Sequence, residues 1–260
     1  KFIADTNNEV KNENQEDKQS KDVQLLLKDL AYGYDKVLLK DINLSIKKGN
    51  KTLIVGTSGC GKSTLFYVLM RLLYPLKGNI FIQGKNYDDL AEKSIREHFA
   101  VAFQEHHIFN LSIRDNFKML YEDIIDEEIY ISLENVYLLD FVKQVGLDYI
   151  VGNDGNKLSG GQKHRLQLAI CLAKQKDIIL LDEPTAGLDI KTTNNICSQL
   201  MEKYQKQTMI VTSHDISLLR FFDDIIICGE EKIIEQGNIK KLLLREDSYL
   251  NKLIRYKNFI

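Results

Sequence analysis

The feature that most constrains this chain is a glycine-rich run that lies between an apolar stretch and a helical pattern. The run covers Gly56–Thr64, reads Gly-Thr-Ser-Gly-Cys-Gly-Lys-Ser-Thr, and fits the pattern G-x-x-x-x-G-K-[ST]. The largely apolar segment Thr52–Val55 before it predicts a buried strand. After the run, apolar side chains recur at helical spacing, at Leu65, Val68, Leu69, Leu72 and Leu73. A strand, a glycine loop and an amphipathic helix in this order are the context that a phosphate-binding loop needs.

The residue types in this run suit the phosphates of a nucleotide. Its glycines let consecutive backbone N–H groups turn toward a phosphate without a Cβ in the way, and the start of the helix adds partial positive charge. Lys62 supplies a positive charge for the outer phosphates, and the Ser63 hydroxyl is placed to ligate Mg2+. The predicted nucleotide-binding residues are Gly56, Thr57, Ser58, Gly59, Cys60, Gly61, Lys62, Ser63 and Thr64.

Composition limits the class of protein. The chain has 260 residues, 44% hydrophobic and 28% charged, which is enough for a globular domain with a sizeable core. A formal net charge of -2 gives no support to nucleic-acid binding. No apolar run approaches the roughly 20 residues of a membrane-spanning helix. Residues 1–21 are strongly polar and indicate a linker or tail. Without metal-ligand spacing, we expect free thiols at Cys60, Cys171, Cys197 and Cys228.

Short apolar runs on both sides of the loop predict strands. These runs are Val23–Leu27, Leu30–Tyr34, Ile42–Ile46, Ile80–Ile82 and Phe99–Phe103. Tyr34, upstream of the loop, either packs within its strand or stacks on a purine ring. Gln104 follows the last run, at the kind of strand end where open α/β sheets bind ligands. Gln104 is therefore either a capping group or a side chain that reaches Mg2+ or the attacking water.

A second glycine-containing motif follows a helical region. Residues from about 112 to 150 have a helical pattern, with an apolar stripe that we expect in the core. The stripe consists of Leu138, Phe141, Val142 and Val145. The motif Leu-Ser-Gly-Gly-Gln then precedes a helical run, Lys163–Ala173. Ser159 is a good N-cap, and the two glycines expose N–H groups at the positive end of a helix. The segment is either an ordinary capped helix start or a second anion-binding device.

Two carboxylates follow another buried strand. The apolar run Ile178–Leu181 ends in Asp182 and Glu183, which places both acids beside the glycine loop in a P-loop fold. Asp182 can hold Mg2+ through water, whereas Glu183 is the better candidate to polarise a water for in-line attack on the γ-phosphate. Thr208–Thr212 predicts a further strand. His214, which follows it, is either a structural histidine or a side chain that senses or positions the γ-phosphate.

The rest of the chain carries fewer signals. Ile225–Cys228 and Lys232–Glu235 predict a hairpin, and Ile239–Tyr256 predicts an amphipathic helical tail. The other histidines have no ligand-like context and receive no role: His98, His106, His107 and His164.

Taken in order, these motifs resemble the ATP-binding cassette of ABC proteins over residues 22–260. The resemblance rests on Gly56–Thr64, Gln104, Leu158–Gln162, Ile178–Glu183, Ala186–Asp189 and His214. It implies an α/β fold, with a P-loop NTPase core containing a mixed sheet, an antiparallel β subdomain, and a helical subdomain over about residues 104–170. It also implies ATP and Mg2+ as cofactors. The implied catalytic residues are Lys62, Gln104, Glu183 and His214, and the implied metal ligands are Ser63, Gln104 and Asp182.

The resemblance also implies roles across a dimer. In this family the signature motif contacts the γ-phosphate of ATP bound on a partner cassette, and here it comprises Leu158, Ser159, Gly160, Gly161 and Gln162. Asp189 matches the loop that links the two sites. Tyr34 matches the aromatic residue that stacks on adenine, with Tyr32 as the alternative register.

Three stretches resemble exporter cassettes: Phe103–Asn116, Val151–Gly155 and Ser248–Leu250. We therefore expect the motor domain of an ABC exporter, an ATPase that dimerises head to tail on two Mg-ATP. Its expected partners are a second cassette and a transmembrane domain, at the cytoplasmic face of a membrane, with residues 1–21 as the linker from that domain. The competing hypothesis is a soluble ABC ATPase in cluster assembly or another mechanical role.

Overall fold

The computed structural model describes residues 22–104 and 108–257; the polar segment 1–21, His106 and His107 lie outside these ranges. The larger of two sheets has six strands, which are β3 (Lys51–Gly56), β6 (Phe99–Ala102), β7 (Ile178–Asp182), β8 (Thr208–Ser213), β9 (Asp224–Cys228) and β10 (Ile233–Asn238). Their order is β10-β9-β3-β8-β7-β6. All neighbours run parallel except the β9–β10 hairpin, so the predicted mixed sheet and the predicted hairpin are confirmed.

The smaller sheet is antiparallel throughout, as predicted. It is built from β1 (Val23–Gly33), β2 (Val37–Lys47), β4 (Lys77–Ile82) and β5 (Lys85–Asn86), in the order β2-β1-β4-β5. The prediction of two separate strands within residues 23–34 is wrong, because β1 continues through an irregularity at Asp29. Asp29 has a φ of 48°. The Asn43 side chain holds it from the neighbouring strand, accepting from Asp29 N and donating to Asp29 Oδ1, both at 3.0 Å.

Nine helices surround the two sheets in the described ranges. They are α1 (Lys62–Leu69), α2 (Glu92–Glu97), α3 (Ile113–Lys118), α4 (Asp126–Glu134), α5 (Leu139–Val145), α6 (Gly160–Leu172), α7 (Ile190–Lys203), α8 (Ile239–Leu243) and α9 (Tyr249–Lys257). The four helices α3 to α6 lie between β6 and β7 in the chain. They form the helical region that the sequence predicts between Gln104 and the strand that ends in Asp182, which is β7.

The larger sheet is apolar on both faces. In β7, Ile179 and Leu181 belong to one core cluster together with residues of α3 to α7, whereas Ile178 and Leu180 belong to a second cluster with residues of β1 and α1. Alternate side chains of a strand point to opposite faces, so β7 is sandwiched between two layers. Burial on both faces holds the strand ends in place, and these ends carry the polar residues that follow each strand.

The helical pattern of residues 112–150 corresponds to three short helices, and its apolar stripe packs in or against the core as expected. Two other helix predictions need correction. The helix after the glycine loop ends at Leu69 rather than Leu73, because Arg71 takes a left-handed φ of 54° and leaves Leu72 56% exposed. The C-terminal tail is two helices, because the Glu235 carboxylate accepts from the Ser248 hydroxyl and from Leu250 N at the break between them.

Candidate nucleotide site

The carboxyl ends of four parallel strands meet at one edge of the larger sheet. β3 ends at the glycine loop, β6 shortly before Gln104, β7 at Asp182, and β8 one residue before His214. In open α/β sheets this edge is where ligands bind. The topology therefore brings together residues that are distant in the chain. Gly56 and His214, for example, are 158 positions apart.

Two positions of the glycine loop, Gly56 and Gly61, require glycine. A Cβ on Gly56 would lie 2.7 Å from the Cys60 sulfur and 2.7 Å from the Cys228 carbonyl oxygen. Gly61 is the residue that caps α1 and has a φ of 100°, which is in the left-handed region. The Lys62 ammonium donates to the carbonyl oxygens of Gly56 at 2.8 Å and Thr57 at 3.2 Å, so it lies over the loop.

The two tyrosines upstream of the loop differ in their surroundings. Tyr32 is fully buried, and its hydroxyl donates to the Gly61 carbonyl at 3.0 Å. Burial raises the pKa of Tyr32 well above its ordinary value, so the phenol stays protonated and can donate. Tyr34 lies just beyond β1 and is 60% exposed. The Tyr34 ring is therefore the one available to stack on a base, whereas Tyr32 supports the loop through its hydrogen bond to Gly61.

The two carboxylates after β7 are held by one threonine. The Thr212 hydroxyl donates to Asp182 and accepts from Glu183 N at 3.0 Å. Glu183 N also donates to the Thr212 carbonyl at 3.2 Å. Glu183 has a φ of 51°, a conformation that costs a non-glycine residue about 1 kcal/mol or more and persists where its surroundings enforce it. Both acids are buried, and Asp182 lies deeper.

His214 and Gln104 reach the same space as the loop. A cavity of about 500 Å3 is lined by Ser58, Gly59, Gly61, Lys62, Ser63, Thr64, Gln104, Glu183 and His214. His214 Nδ1 lies 2.9 Å from Glu183 Oε2. The structure therefore gathers the four predicted catalytic residues around one cavity. Asp182 is buried and is not among the residues that line the cavity.

The predicted metal ligands suit Mg2+ by their chemistry. The Ser63 hydroxyl, the Gln104 amide oxygen and the Asp182 carboxylate are hard oxygen donors, which is what Mg2+ prefers. No cluster of three or more His, Cys, Asp or Glu side chains that could hold a metal ion occurs in the part of the chain that the structure describes.

The Leu-Ser-Gly-Gly-Gln motif lies apart from this cavity. None of Leu158, Ser159, Gly160, Gly161 and Gln162 lines it. Ser159 caps α6 as predicted. Its hydroxyl accepts from Gln162 N at 3.2 Å, while the Gln162 side chain accepts from Ser159 N at 2.9 Å. This reciprocal capping box holds the helix start rigidly and leaves Ser159 and Gly160 exposed.

Asp189 caps the next helix. Its carboxylate accepts from Thr192 N at 2.9 Å and from the Thr192 hydroxyl at 2.6 Å. These hydrogen bonds lower the pKa of Asp189, so the carboxylate is ionised at neutral pH. Asp189 is exposed and stands at the start of α7. Its predicted role in linking two sites remains a prediction.

The structure adds supporting residues that sequence reasoning missed. Thr212 holds both acids, yet it fits an ordinary strand pattern and carries no signal of its own. Tyr32, named above only as the alternative to Tyr34 for stacking on adenine, supports the loop through its hydrogen bond to Gly61. His164, which the sequence analysis left without a role, is buried in α6 and bonds the Pro184 carbonyl beside Glu183. Among the remaining histidines, His98 pairs with Asp177 away from the cavity, with His98 Nδ1 2.9 Å from Asp177 Oδ2.

The fold and the site define a P-loop nucleotide-binding domain. The sequence matches the sequence profile of the ABC transporter family over residues 39–186, and the chain belongs to this family. It is thus an ATP-binding ATPase domain of the ABC type, and the predicted family and fold are confirmed.

Similar proteins include exporters. The chain is 34% identical to the glutathione/L-cysteine transport system ATP-binding/permease protein CydC of Escherichia coli (strain K12), over 87% of this chain and 40% of that protein. It is 33% identical to an ATP-dependent lipid A-core flippase of Haemophilus influenzae (strain 86-028NP), over 86% of this chain and 39% of the flippase. A bacterial Atm1-family ABC exporter solved with ATP bound superposes with a TM-score of 0.84 at 29% identity, over 90% of this chain and 42% of that one. The chain thus spans about two fifths of the length of these relatives.

Proposed function

We propose that this chain is the motor domain of an ABC exporter, which binds and hydrolyses ATP to drive transport by a transmembrane domain. The observation that carries the proposal is the cavity in which Lys62, Gln104, Glu183 and His214 surround the glycine loop. This arrangement provides a phosphate cradle, a carboxylate base and polar groups for a γ-phosphate in one place.

In the proposed reaction, the loop N–H groups and the Lys62 ammonium bind the phosphates of ATP and stabilise the charge that develops on the transferred phosphoryl group. The Glu183 carboxylate orients and polarises a water for in-line attack on the γ-phosphate. His214 donates a hydrogen bond from Nδ1 to Glu183 and so holds this carboxylate in the cavity. Gln104 follows the carboxyl end of β6 at the same edge of the sheet and would contact either the water or the metal.

Mg2+ would be held by the Ser63 hydroxyl, the Gln104 amide and, through water, the Asp182 carboxylate. The ion supplies charge neutralisation for the phosphates when it is bound. The Thr212 hydroxyl orients Asp182 for this task. The proposal thus gives each of the two adjacent acids a separate function, with Asp182 at the metal and Glu183 at the water.

The site is proposed to be completed by a second cassette. The signature residues Leu158–Gln162 do not line the chain's own cavity, yet they present N–H groups at an exposed, capped helix start. In a head-to-tail dimer, this helix start contacts the γ-phosphate bound by the partner, and Asp189 links the two sites. ATP that contacts both chains binds the closed dimer better than the open state, so it shifts the population toward closure.

A membrane partner is proposed from the relatives. The similar proteins named above include an ATP-binding/permease protein and a flippase, and this chain matches about two fifths of each. In the described ranges, the longest helices are too short or too polar to cross a bilayer. The chain would accordingly work at the cytoplasmic face of a membrane, joined to a transmembrane domain. The alternative of a non-transport ABC ATPase finds no support among these relatives.

The test of this proposal is the Glu183→Gln variant. Removing the carboxylate base should lower ATP turnover by about 10²- to 10⁴-fold while ATP binding persists. Because bound ATP is then not consumed, the variant should accumulate as an ATP-dependent dimer, which light scattering detects. Glu202→Gln, the same change at an exposed position outside the cavity, is the matched control and should keep turnover. Turnover of Glu183→Gln at the rate of the unmodified chain would rule out Glu183 as the base.

A further inference from the structure

The helix that begins with the signature motif makes two side-chain hydrogen bonds to the edge of the nucleotide cavity in its own chain. The first comes from His164, the fifth residue of α6, which is buried. Its Nε2 bonds the carbonyl oxygen of Pro184. A carbonyl oxygen only accepts, so Nε2 carries the proton and donates. Pro184 directly follows Glu183, which makes this hydrogen bond a link between the signature helix and the residue after the proposed base.

The second hydrogen bond comes from Gln167, three residues further along the same helix. Its Nε2 donates to the Phe103 carbonyl at 3.3 Å. Phe103 directly precedes Gln104, which lines the cavity together with Glu183. Residues at i and i+3 lie on the same face of a helix, so one face of α6 bonds both flanks of the site. β6 and β7, which end beside these two carbonyls, are neighbouring parallel strands.

We propose that His164 and Gln167 are positioning residues, through which the signature helix sets the orientation of Glu183 and Gln104 in its own chain. This inference rests on the proposed function and deepens it. When the signature motif of one chain docks on the nucleotide of its partner, α6 is fixed in place. The two hydrogen bonds then fix the segments that carry the chain's own Glu183 and Gln104.

The backbone at Glu183 shows why such a link matters. Glu183 has a left-handed φ of 51°, and its N–H is already held by Thr212. The peptide on its other side leads into Pro184, whose carbonyl is held by His164. The base is therefore clamped between β8 on one side and the signature helix on the other. A shift of about 1 Å in a reacting group lowers a rate by as much as about 100-fold, so the loss of one clamp should reduce turnover.

The experiment uses His164→Leu, which removes the donor and keeps most of the volume, and His164→Gln, which restores an N–H donor. In the chain itself, we expect kcat for ATP hydrolysis to fall about 10- to 100-fold in His164→Leu, with KM within about twofold of the starting value. His164→Gln should recover most of this loss. Gln167→Leu, at a half-buried position that is more tolerant of substitution, should lower kcat in the same direction.

Formation of the ATP-dependent dimer is measured separately from ATP hydrolysis. In the Glu183→Gln background, His164→Leu should leave the ATP-dependent dimer intact, because the signature motif and the phosphate loop are untouched. The matched control is Lys163→Met, the adjacent residue in α6, whose ammonium pairs with Asp154 at 2.6 Å rather than with the cavity edge. Lys163→Met should keep kcat.

The outcomes separate this inference from the proposed function. An unmodified chain that neither hydrolyses ATP nor dimerises with it would remove the proposed function and the inference together. An active chain in which His164→Leu and Gln167→Leu keep kcat would overturn the inference alone. Loss of the trapped dimer in His164→Leu, or a failure of His164→Gln to recover turnover in a folded protein, would also overturn it. Each of those results would assign His164 to the support of the helix rather than to the positioning of the base.

Discussion

His214 Nδ1 lies 2.9 Å from Glu183 Oε2, and this pair joins the ends of two neighbouring strands across the nucleotide cavity. Glu183 is nearly buried, whereas the His214 side chain is mostly exposed. The imidazole can therefore contact a ligand in the cavity while it holds the carboxylate that lies deeper. In the proposed reaction, the arrangement would give the Glu183 base a fixed orientation and would supply a second polar group for the γ-phosphate.

The first prediction concerns this pair. His214→Ala removes the hydrogen bond that orients the Glu183 carboxylate, so we expect ATP turnover to fall about 100-fold or more, within the range of a lost acid–base contribution. ATP affinity should change little, because the phosphate loop is intact. Steady-state hydrolysis and equilibrium nucleotide binding measure the two effects. His98→Ala, which breaks a histidine–carboxylate pair outside the cavity, is the control and should keep full turnover.

The second prediction concerns the cation of the glycine loop. Lys62→Ala removes an ammonium that should bond the outer phosphates, and a hydrogen bond to a charged group contributes about 1.5 to 3 kcal/mol. ATP should therefore bind about 10- to 150-fold more weakly, as measured by fluorescence of a labelled nucleotide or by calorimetry. Lys85→Ala, at an exposed position of β5, should leave the affinity unchanged. Equal affinities in the two variants would contradict the assignment of the loop.

The third prediction distinguishes the two tyrosines. Tyr34→Ala should weaken ATP binding by about 1 kcal/mol or more through the loss of stacking, with little change in the free energy of unfolding, since Tyr34 is exposed. Tyr32→Phe removes the hydrogen bond to the Gly61 carbonyl, so it should lower the free energy of unfolding by about 0.5 to 1.5 kcal/mol. Urea unfolding and nucleotide titration of both variants give the comparison. An ATP affinity of Tyr34→Ala that equals that of the unmodified chain would contradict the assignment of Tyr34 to the base.

The fourth prediction concerns the cysteine of the glycine loop. A hydrogen bond with the Cys228 thiol lowers the pKa of Cys60 against the opposing effect of burial, and the charge of Lys62 acts in the same direction as the hydrogen bond. A lowered pKa means that the reactive thiolate persists to a lower pH than in an ordinary cysteine and is lost only as the pH falls through the lowered pKa. Alkylation of Cys60 by iodoacetamide should thus level off at a lower pH than alkylation of an ordinary thiol, and ATP should protect the residue.

Two other cysteines of the chain serve as internal controls for this experiment. Burial raises the pKa of Cys171 to about 12 and that of Cys197 to about 11, so both should react slowly across the same pH range. Peptide mass spectrometry resolves the three sites in one sample. A Cys60 rate that keeps rising about tenfold per pH unit up to about pH 9 would show that its pKa is not lowered.

Much of the fold follows from contiguous patterns. The apolar runs before Gly56 and before Asp182 are buried strands as predicted, and Ser159 caps its helix, because each of these signals depends on neighbours in the chain. The predictions that were wrong concern where elements end or divide. Asn43, on the next strand, keeps β1 continuous through Asp29, and Glu235 helps to divide the C-terminal helices. Such partners lie far away in sequence, so a local pattern does not contain them.

The candidate site shows the same division. The sequence by itself was enough to predict the residues that we propose carry the chemistry, because the glycine loop, the signature motif and the acids after β7 are each short runs whose residue types have a chemical reason. Only the tertiary structure decided that Tyr32 is buried under Gly61 while Tyr34 is exposed, that Thr212 holds both Asp182 and Glu183, and that His164 bonds the segment beside Glu183. These contacts depend on which strand ends are neighbours in the sheet and on how one helix packs across them. Packing of that kind is set by the whole core rather than by any single stretch of the chain.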